Sequence, residues 1–461
     1  MAHPGNSGLI PLVDGRDAFA ARMRLADAAE RSLDVQSYIW HNDLTGTLLF
    51  DALRRAADRG VRVRLLLDDN NTVGLAGVLA ALTTHPNIEV RLFNPFASRH
   101  WRALALVTEF SRLNRRMHNK SFTADNQVTI VGGRNIGDEY FAAGPNVLFV
   151  DLDVLAIGPV VGDVSQDFDR YWTSDSSYPA NRLLPGVAAS ALSTLAVEAE
   201  SVARSDAAVA YTAEVAKQPF VMQVIERRLT FEWAATHLVS DGPAKGRGQA
   251  SESELLWTKL KQVMQTPARE VAVVSPYFVP EGTGVAYLAD LARQGVKVTL
   301  LTNSLEATDV PAVHSGYAKW RESLLKAGIS LLEMKRAANA PSGSGRLPGS
   351  SSGSSLHGKT FSVDRSPVFI GSFNFDPRSA RLNTELGFVI DSPAMASIIA
   401  DAVDGPLAAR AYRLRLAESG AIQWVEQVED KVVVHDVEPG TTFWQRMGVT
   451  VLSLLPIEWL L

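Results

Sequence analysis

Two stretches of this chain repeat one another in register, and that repeat limits the fold more than any other feature. His118-Asn119-Lys120-Ser121-Phe122-Thr123-Ala124-Asp125 and His357-Gly358-Lys359-Thr360-Phe361-Ser362-Val363-Asp364 each hold a histidine, a lysine two positions on and an aspartate five beyond that. Ten residues after each aspartate comes an asparagine, in Val131-Gly132-Gly133-Arg134-Asn135 and Ile370-Gly371-Ser372-Phe373-Asn374. One offset, 239 (357 − 118), relates the two histidines, lysines, aspartates, asparagines and first glycines. The chain has only 9 histidines, so two in identical frames are hard to assign to chance. A chain built this way folds as two equivalent halves.

The flanking patterns fit that reading. Leu33–Ile39 alternates like a strand, Leu48–Arg59 carries apolar residues at helical spacing up to the C-cap glycine Gly60, and Val61–Leu67 reads as a buried strand. Ile88–Phe93 is a third strand candidate. In the second half Glu270–Phe278, Gly284–Arg293, Gly295 and Val296–Leu301 repeat the order strand, helix, glycine, strand. Such alternation predicts an α/β fold of two duplicated lobes, each a mixed sheet flanked by helices, sharing one active site at their interface. The expected boundaries are a first lobe over 1–185, an alanine-rich helical insert and linker over 186–250, a second lobe over 251–400 and an extension over 401–461. The segment Asp241–Gly248 reads as linker with no visible chemistry, and the Gly/Ser-rich Pro341–Ser355 as a mobile loop running into Leu356-His357.

On a strand, His-x-Lys places both side chains on one face, because side chains alternate with period two. A neutral histidine can attack phosphorus while a second, protonated one serves as acid, since imidazole titrates near neutrality. Lys120 and Lys359 supply fixed positive charge for phosphate oxygens. Asn135 and Asn374 add directed hydrogen bonds, and Gly133 and Ser372 belong to the same substrate-binding stretches. Asp125 and Asp364 complete the two motifs; five residues past the lysine, they fall on the opposite face, which is a structural position. A nucleophilic imidazole needs its other ring nitrogen held by an acceptor. Asp151 and Glu385, each ahead of an apolar strand and a proline (Pro159, Pro393), are the candidates for orienting the histidines, with Asp153 competing with Asp151.

Composition excludes other chemistries. There are no cysteines, so thiol catalysis, disulfides and Cys-based zinc sites are ruled out. No His-Glu-x-x-His, Walker loop or Cys/His cluster is present, and neither a metal nor another cofactor is expected. His237 and His314 read as helix residues, and His314, with Tyr317 and Arg321 at helical spacing, is at most a head-group contact. The net charge of −5 argues against nucleic acid as partner. Met1-Ala2-His3-Pro4-Gly5 lacks the pattern of a signal peptide, and no apolar run reaches the ~20 residues of a membrane-spanning helix.

The paired motifs resemble the phospholipase D superfamily, marked by two His-x-Lys-x-x-x-x-Asp sequences each followed by Gly-Gly/Ser-x-Asn. Ser111–Phe122, Gly132–Asp138, Ile370–Ser379 and the ending Leu455–Leu461 are most similar to bacterial cardiolipin synthases of the C type. The resemblance implies phospholipase D-like lobes and a catalytic set of His118, Lys120, Asp125, His357, Lys359 and Asp364. It also implies a phosphatidyl-histidine intermediate, with His118 as nucleophile and His357 as acid, or the reverse. The acceptor it implies is phosphatidylglycerol; the donor is phosphatidylethanolamine or a second phosphatidylglycerol. Phe443–Leu461 joins Trp, Leu and Val with one Arg in a segment too short to span, as in helices that lie in a membrane interface. Trp101–Val107, followed by Arg112, Arg115 and Arg116, offers a second such patch. The expected location is peripheral, on a bacterial inner membrane. Two alternatives stand beside this one: a hydrolase of the same superfamily, acting on phospholipid or nucleic acid, and a membrane-bound scaffold without activity.

Overall fold

The computed structural model describes residues 3–97, 99, 108–143, 149–336, 356–429 and 431–461. The chain divides into two compact units. Unit 1 gathers Met1–Gly144, Leu152–Leu260 and Leu382–Phe388; unit 2 gathers Pro145–Asp151, Lys261–Arg381 and Val389–Leu461. Each unit is therefore completed by a short segment from the other half of the sequence.

Unit 1 holds strands β1 (Ser7–Leu12), β2 (Ser32–Ser37), β3 (Arg62–Asp68), β4 (Ile88–Phe93), β5 (Ser121–Ala124), β6 (Val128–Gly132), β7 (Asp153–Ile157), β8 (Ser177–Pro179) and β9 (Glu232–Ser240). Their order across the sheet is β9-β1-β7-β6-β5-β2-β3-β4-β8. Among the described strands of unit 1 only β2, β3 and β4 pair in parallel, which requires the crossover helices that the sequence supplies. Burial on both faces of β3 explains the apolar run Leu65-Leu66-Leu67 at its centre. Leu65 and Leu67 join the core beneath helices Gly15–Ala28 and Leu44–Asp58, while Leu66 packs with Phe168 and Trp172 of helix Pro159–Trp172. Asp43 caps helix Leu44–Asp58 through the Gly46 amide at 2.9 Å, and Gly60 leaves it at φ +94°.

Unit 2 repeats the plan with β10 (Glu270–Val274), β11 (Lys297–Asn303), β12 (Ser330–Met334), β13 (Lys359–Val363), β14 (Val368–Gly371), β16 (Ala411–Leu416), β17 (Ile422–Val428) and β18 (Lys431–His435), while β15 (Leu386–Asp391) begins in unit 1 and ends in unit 2. The order β14-β13-β10-β11-β12-β16 matches β6-β5-β2-β3-β4-β8, including the parallel trio and the antiparallel outer neighbour. Strands β17 and β18 extend this sheet past β16.

Residues 186–250, expected as a helical insert and linker, are helical over much of their length but also carry a strand. They form helices Ala191–Ala203, Asp206–Ala216 and Pro219–Ile225 and then β9, which pairs with β1, so the segment is part of unit 1. These alanine-rich helices bury only narrow stripes, and Tyr211 and Phe220 are among the large side chains that seat them in the core of unit 1. Residues 401–461 likewise belong to unit 2, whose sheet β16–β18 continues. His237, expected on a helix, is an exposed residue of β9. The loop expected over Pro341–Ser355 and the patch over Trp101–Val107 lie outside the described residues.

Candidate active site

His118 lies in extended chain leading into β5. Its amide donates to the Thr384 carbonyl at 2.9 Å, and Met117 and Thr384 form an isolated parallel bridge. This contact brings the next residue, Glu385, beside the ring: His118 Nδ1 is 2.8 Å from Glu385 Oε2. His357 is held in the same way. Its amide donates to the Val150 carbonyl at 2.9 Å, Leu356 bridges Val150, and His357 Nδ1 lies 2.6 Å from Asp151 Oδ2. Both carboxylates are fully buried as side chains, whereas the imidazoles keep 9% and 10% of theirs exposed. A carboxylate on Nδ1 fixes the tautomer with its proton there and leaves the Nε2 lone pair as the reactive atom.

The lysines repeat this symmetry. Lys120 Nζ donates to the His118 carbonyl at 2.5 Å, and Lys359 Nζ to the His357 carbonyl at 2.5 Å. Lys359 Nζ also lies 3.2 Å from each nitrogen of its histidine. Each ammonium is thus folded back over its own motif at almost complete burial, where a positive charge meets little screening.

The aspartates lie elsewhere. Asp125 and Asp364 occupy the turns after β5 and β13 at φ 53° and 51°, a conformation that aspartate tolerates better than most residues. Asp125 accepts the amides of Glu30, Arg31 and Ser32 at 2.8–2.9 Å, and Asp364 those of Ala268, Arg269 and Glu270 at 2.7–2.8 Å. Burial pushes both carboxyls up, but these amides outweigh it and hold them below the ordinary carboxylate value. They clamp the entries of β2 and β10.

The remaining candidates divide. Asn135 accepts the Ile39 amide at 3.2 Å and donates to the Tyr140 hydroxyl at 3.0 Å, so its amide is engaged within unit 1. Asn374 is 5% exposed and its Oδ1 has no partner among the described residues. Amide oxygen and nitrogen exchange by a flip, so this end can offer a donor. Ser372 is fully buried, and the Gly133 amide donates to the Leu152 carbonyl at 3.3 Å. A side chain on neighbouring Gly132 would come within 2.1 Å of Asp153, so only glycine fits. Asp153 itself pairs with Arg22 at 2.9 Å and Arg134 at 3.5 Å. His314 is buried between Arg321 and Glu438 at 2.7 and 3.2 Å. Among the described residues one group has metal-ligand spacing, His41, Asp43 and Glu139, and Asp43 already accepts the Gly46 and Asp138 amides.

Several supporting residues escaped the sequence reading. Asp68 at the end of β3 accepts the Met117 amide at 2.8 Å, and Asn303 at the end of β11 holds both the amide and the carbonyl of Leu356 at 3.1 Å. The residue before each histidine is thereby fixed by its own sheet. Tyr38 sets its ring edge-on to His118 at 4.8 Å, and its counterpart Tyr277, also 239 positions later, donates to half-buried Asp309 at 2.7 Å. Behind Glu385, Asp241 accepts the Glu385 amide and the Lys245 ammonium, both at 2.9 Å. Burial, opposed by Lys245 and helped by the charge of Glu385, raises the Asp241 carboxyl to about 6. The duplication gave a signal for the tyrosines and for the Asp68/Asn303 pair; a buried ion pair such as Asp241–Lys245 leaves none.

Residues 23–172 and 260–404 each match the family described as cardiolipin synthase, PLD-like domain, one match on each copy of the motif. The chain belongs to that family. Cardiolipin synthase C of Escherichia coli (strain K12) is 51% identical over 462 aligned residues, covering 100% of this chain and 97% of the relative. Cardiolipin synthase B of the same strain is 25% identical, covering 86% of this chain and 80% of the relative. A solved phosphatidylserine synthase from Haemophilus influenzae Rd KW20 superposes with a TM-score of 0.60 at 12% identity, over 88% of this chain and 87% of that one, and shows the same fold.

Proposed function

We propose that this chain makes cardiolipin by transferring a phosphatidyl group to phosphatidylglycerol through a covalent histidine intermediate. It is a phosphatidyltransferase of the phospholipase D superfamily, and phospholipids are its substrates. The observation that carries the reading is the twofold histidine–carboxylate–lysine arrangement, with Nδ1–carboxylate distances of 2.8 and 2.6 Å and lysine–carbonyl distances of 2.5 Å in both copies.

His118 Nε2 attacks the donor phosphorus, forming the P–N bond as the bond to the donor head-group oxygen breaks. His357 delivers the proton that this oxygen takes up. The terminal glycerol hydroxyl of phosphatidylglycerol then attacks phosphorus, His357 accepts its proton, and the P–N bond breaks to restore His118. The ring on His118 is cationic while it carries the phosphatidyl group, and Glu385 stabilises that charge. Lys120 and Lys359 offset the negative charge on the phosphoryl oxygens. The donor is phosphatidylethanolamine or a second phosphatidylglycerol, and ethanolamine or glycerol leaves accordingly. The negative net charge provides no long-range attraction for nucleic acid.

Defined lipids test this. The protein receives phosphatidylglycerol alone, phosphatidylethanolamine alone or both, with His118→Ala as control. Cardiolipin should form with release of ethanolamine or glycerol and be lost in the variant. Phosphatidic acid as the sole product would make the enzyme a hydrolase.

A further inference from the structure

We infer that the C-terminal helix Phe443–Ser453 is a bilayer dock that inserts into the acyl–headgroup boundary by hydrophobic contact alone. The helix begins with a capping box, Thr442 with Gln445, and packs on helix Pro311–Ala318 of the same unit with Val449 buried. At 3.6 residues per turn, Phe443, Trp444, Met447, Val451 and Leu454 fall in an arc of roughly 100°, opposite Val449. That arc is exposed: Phe443 by 56%, Trp444 by 78%, Met447 by 43%, Val451 by 53% and Leu454 by 80%. A helix on a water-facing surface shows polar residues on its outer side. This one is apolar both inward and outward.

The composition of the outer side points to lipid. Large aromatic and aliphatic residues on a helix too short to span, with a second exposed tryptophan, Trp459, in the turn after it, are typical of interfacial segments. That turn is pinned to the body of unit 2. Glu458 accepts the Trp320 indole at 2.9 Å and pairs with Lys319 at 2.8 Å, and the Leu461 carbonyl accepts the Arg378 amide at 2.8 Å. The dock is therefore a rigid face rather than a loose tail. Arg446, the only charged residue of the helix, is turned to the Thr441 carbonyl at 2.8 Å, so no free charge borders the arc from the helix itself. No described helix is long and apolar enough to cross a membrane. The inference rests on the proposed function in one respect: an enzyme whose donor and acceptor are both bilayer lipids has to sit at the interface to reach them.

The test is flotation of the full chain with phosphatidylcholine vesicles, with and without about one third phosphatidylglycerol, at low and high salt. Wild type should float in every case, with binding changed less than about threefold by the anionic lipid or by salt. Trp444→Ser/Leu454→Ser should lower partitioning by at least about tenfold. Both side chains are exposed, so the fold should survive; cardiolipin formation in detergent micelles should remain within about twofold of wild type, while formation on vesicles falls with binding. Equal flotation of variant and wild type would overturn the dock, as would wild-type binding that needs anionic lipid. A salt-stable dimer that the double variant converts to monomer would assign the arc to a second copy of the chain instead. If wild type floats through the helix but makes no cardiolipin even in micelles, the proposed function fails and the dock stands.

Discussion

Replacing Glu385 by glutamine removes one charge at a position that touches no solvent and leaves the volume unchanged. Its Oε2 lies 2.8 Å from His118 Nδ1. A ring cation and a carboxylate about 4 Å apart, charge centre to charge centre, attract by roughly 4 kcal/mol at the effective dielectric of a protein site. Glutamine keeps a neutral hydrogen bond worth about 1 kcal/mol, so the net loss is roughly 2–4 kcal/mol. The loss acts mainly where the ring is charged, in the phosphatidyl-histidine and the transition states flanking it, and only weakly on the free enzyme. Glu385→Gln should therefore cut kcat by about 30- to 1,000-fold. KM should change by less than about threefold, because a fully buried side chain cannot touch lipid. The hydrogen bonds that the Glu385 backbone makes to the Asp241 carboxylate and amide do not depend on the Glu385 side chain, so thermal unfolding should be almost unaffected. Steady-state kinetics of cardiolipin formation in mixed micelles reads both constants. A variant with kcat within threefold of wild type would refute the electrostatic role, as would a loss confined to KM.

Other substitutions separate structure from chemistry. Asp364→Ala strips three backbone amides of their acceptor and should lower the stability of unit 2 by about 1–2 kcal/mol, while kcat of the folded protein stays within threefold; chemical denaturation and kinetics read the two effects. Asn303→Ala frees the Leu356 backbone ahead of His357 and should lower kcat by about tenfold, measured against Asp68→Asn at the matching position of the first copy. Glu438 gives a pH dependence. Burial pushes its carboxyl up, but Arg321 and His314 outweigh it and lower it from 4.5 to about 2. A depressed carboxylate contributes fully above its unfolded value and loses that contribution as pH falls to the folded one. Unit 2 should thus lose roughly 3 kcal/mol between about pH 4.5 and 2, and Glu438→Gln should abolish most of that slope in denaturation series.

How much of this was legible in sequence depended on whether a feature repeats or is local. The motifs were visible because the same frame occurs twice, and strands β3 and β11 because each carries an apolar run shortly after a helix-ending glycine, Gly60 or Gly295. Asp151 and Glu385 could be singled out by their matching positions ahead of apolar strands, but the pairing of Glu385 with His118 and of Asp151 with His357 could not. That pairing depends on which short segment completes which unit, a matter of chain crossing that no periodicity encodes. The same limit hid Asp241 and Lys245: a polar, glycine-bearing stretch reads as linker unless one knows that Glu385 lies against it. Residues 186–225 were legible as helices but not as part of unit 1, because their contacts rest on a few large side chains among many alanines.

The most direct test of the two-histidine account is to trap the intermediate. A short-chain labelled donor is mixed with the protein without acceptor, the reaction is quenched at alkaline pH, where a phosphorus–nitrogen bond to imidazole survives, and the peptides are mapped by mass. The account predicts one phosphatidyl group on His118, discharged to cardiolipin when phosphatidylglycerol is added and absent from His118→Ala. Label on His357 alone would reverse the two roles; turnover with no labelled histidine under any condition would contradict the mechanism.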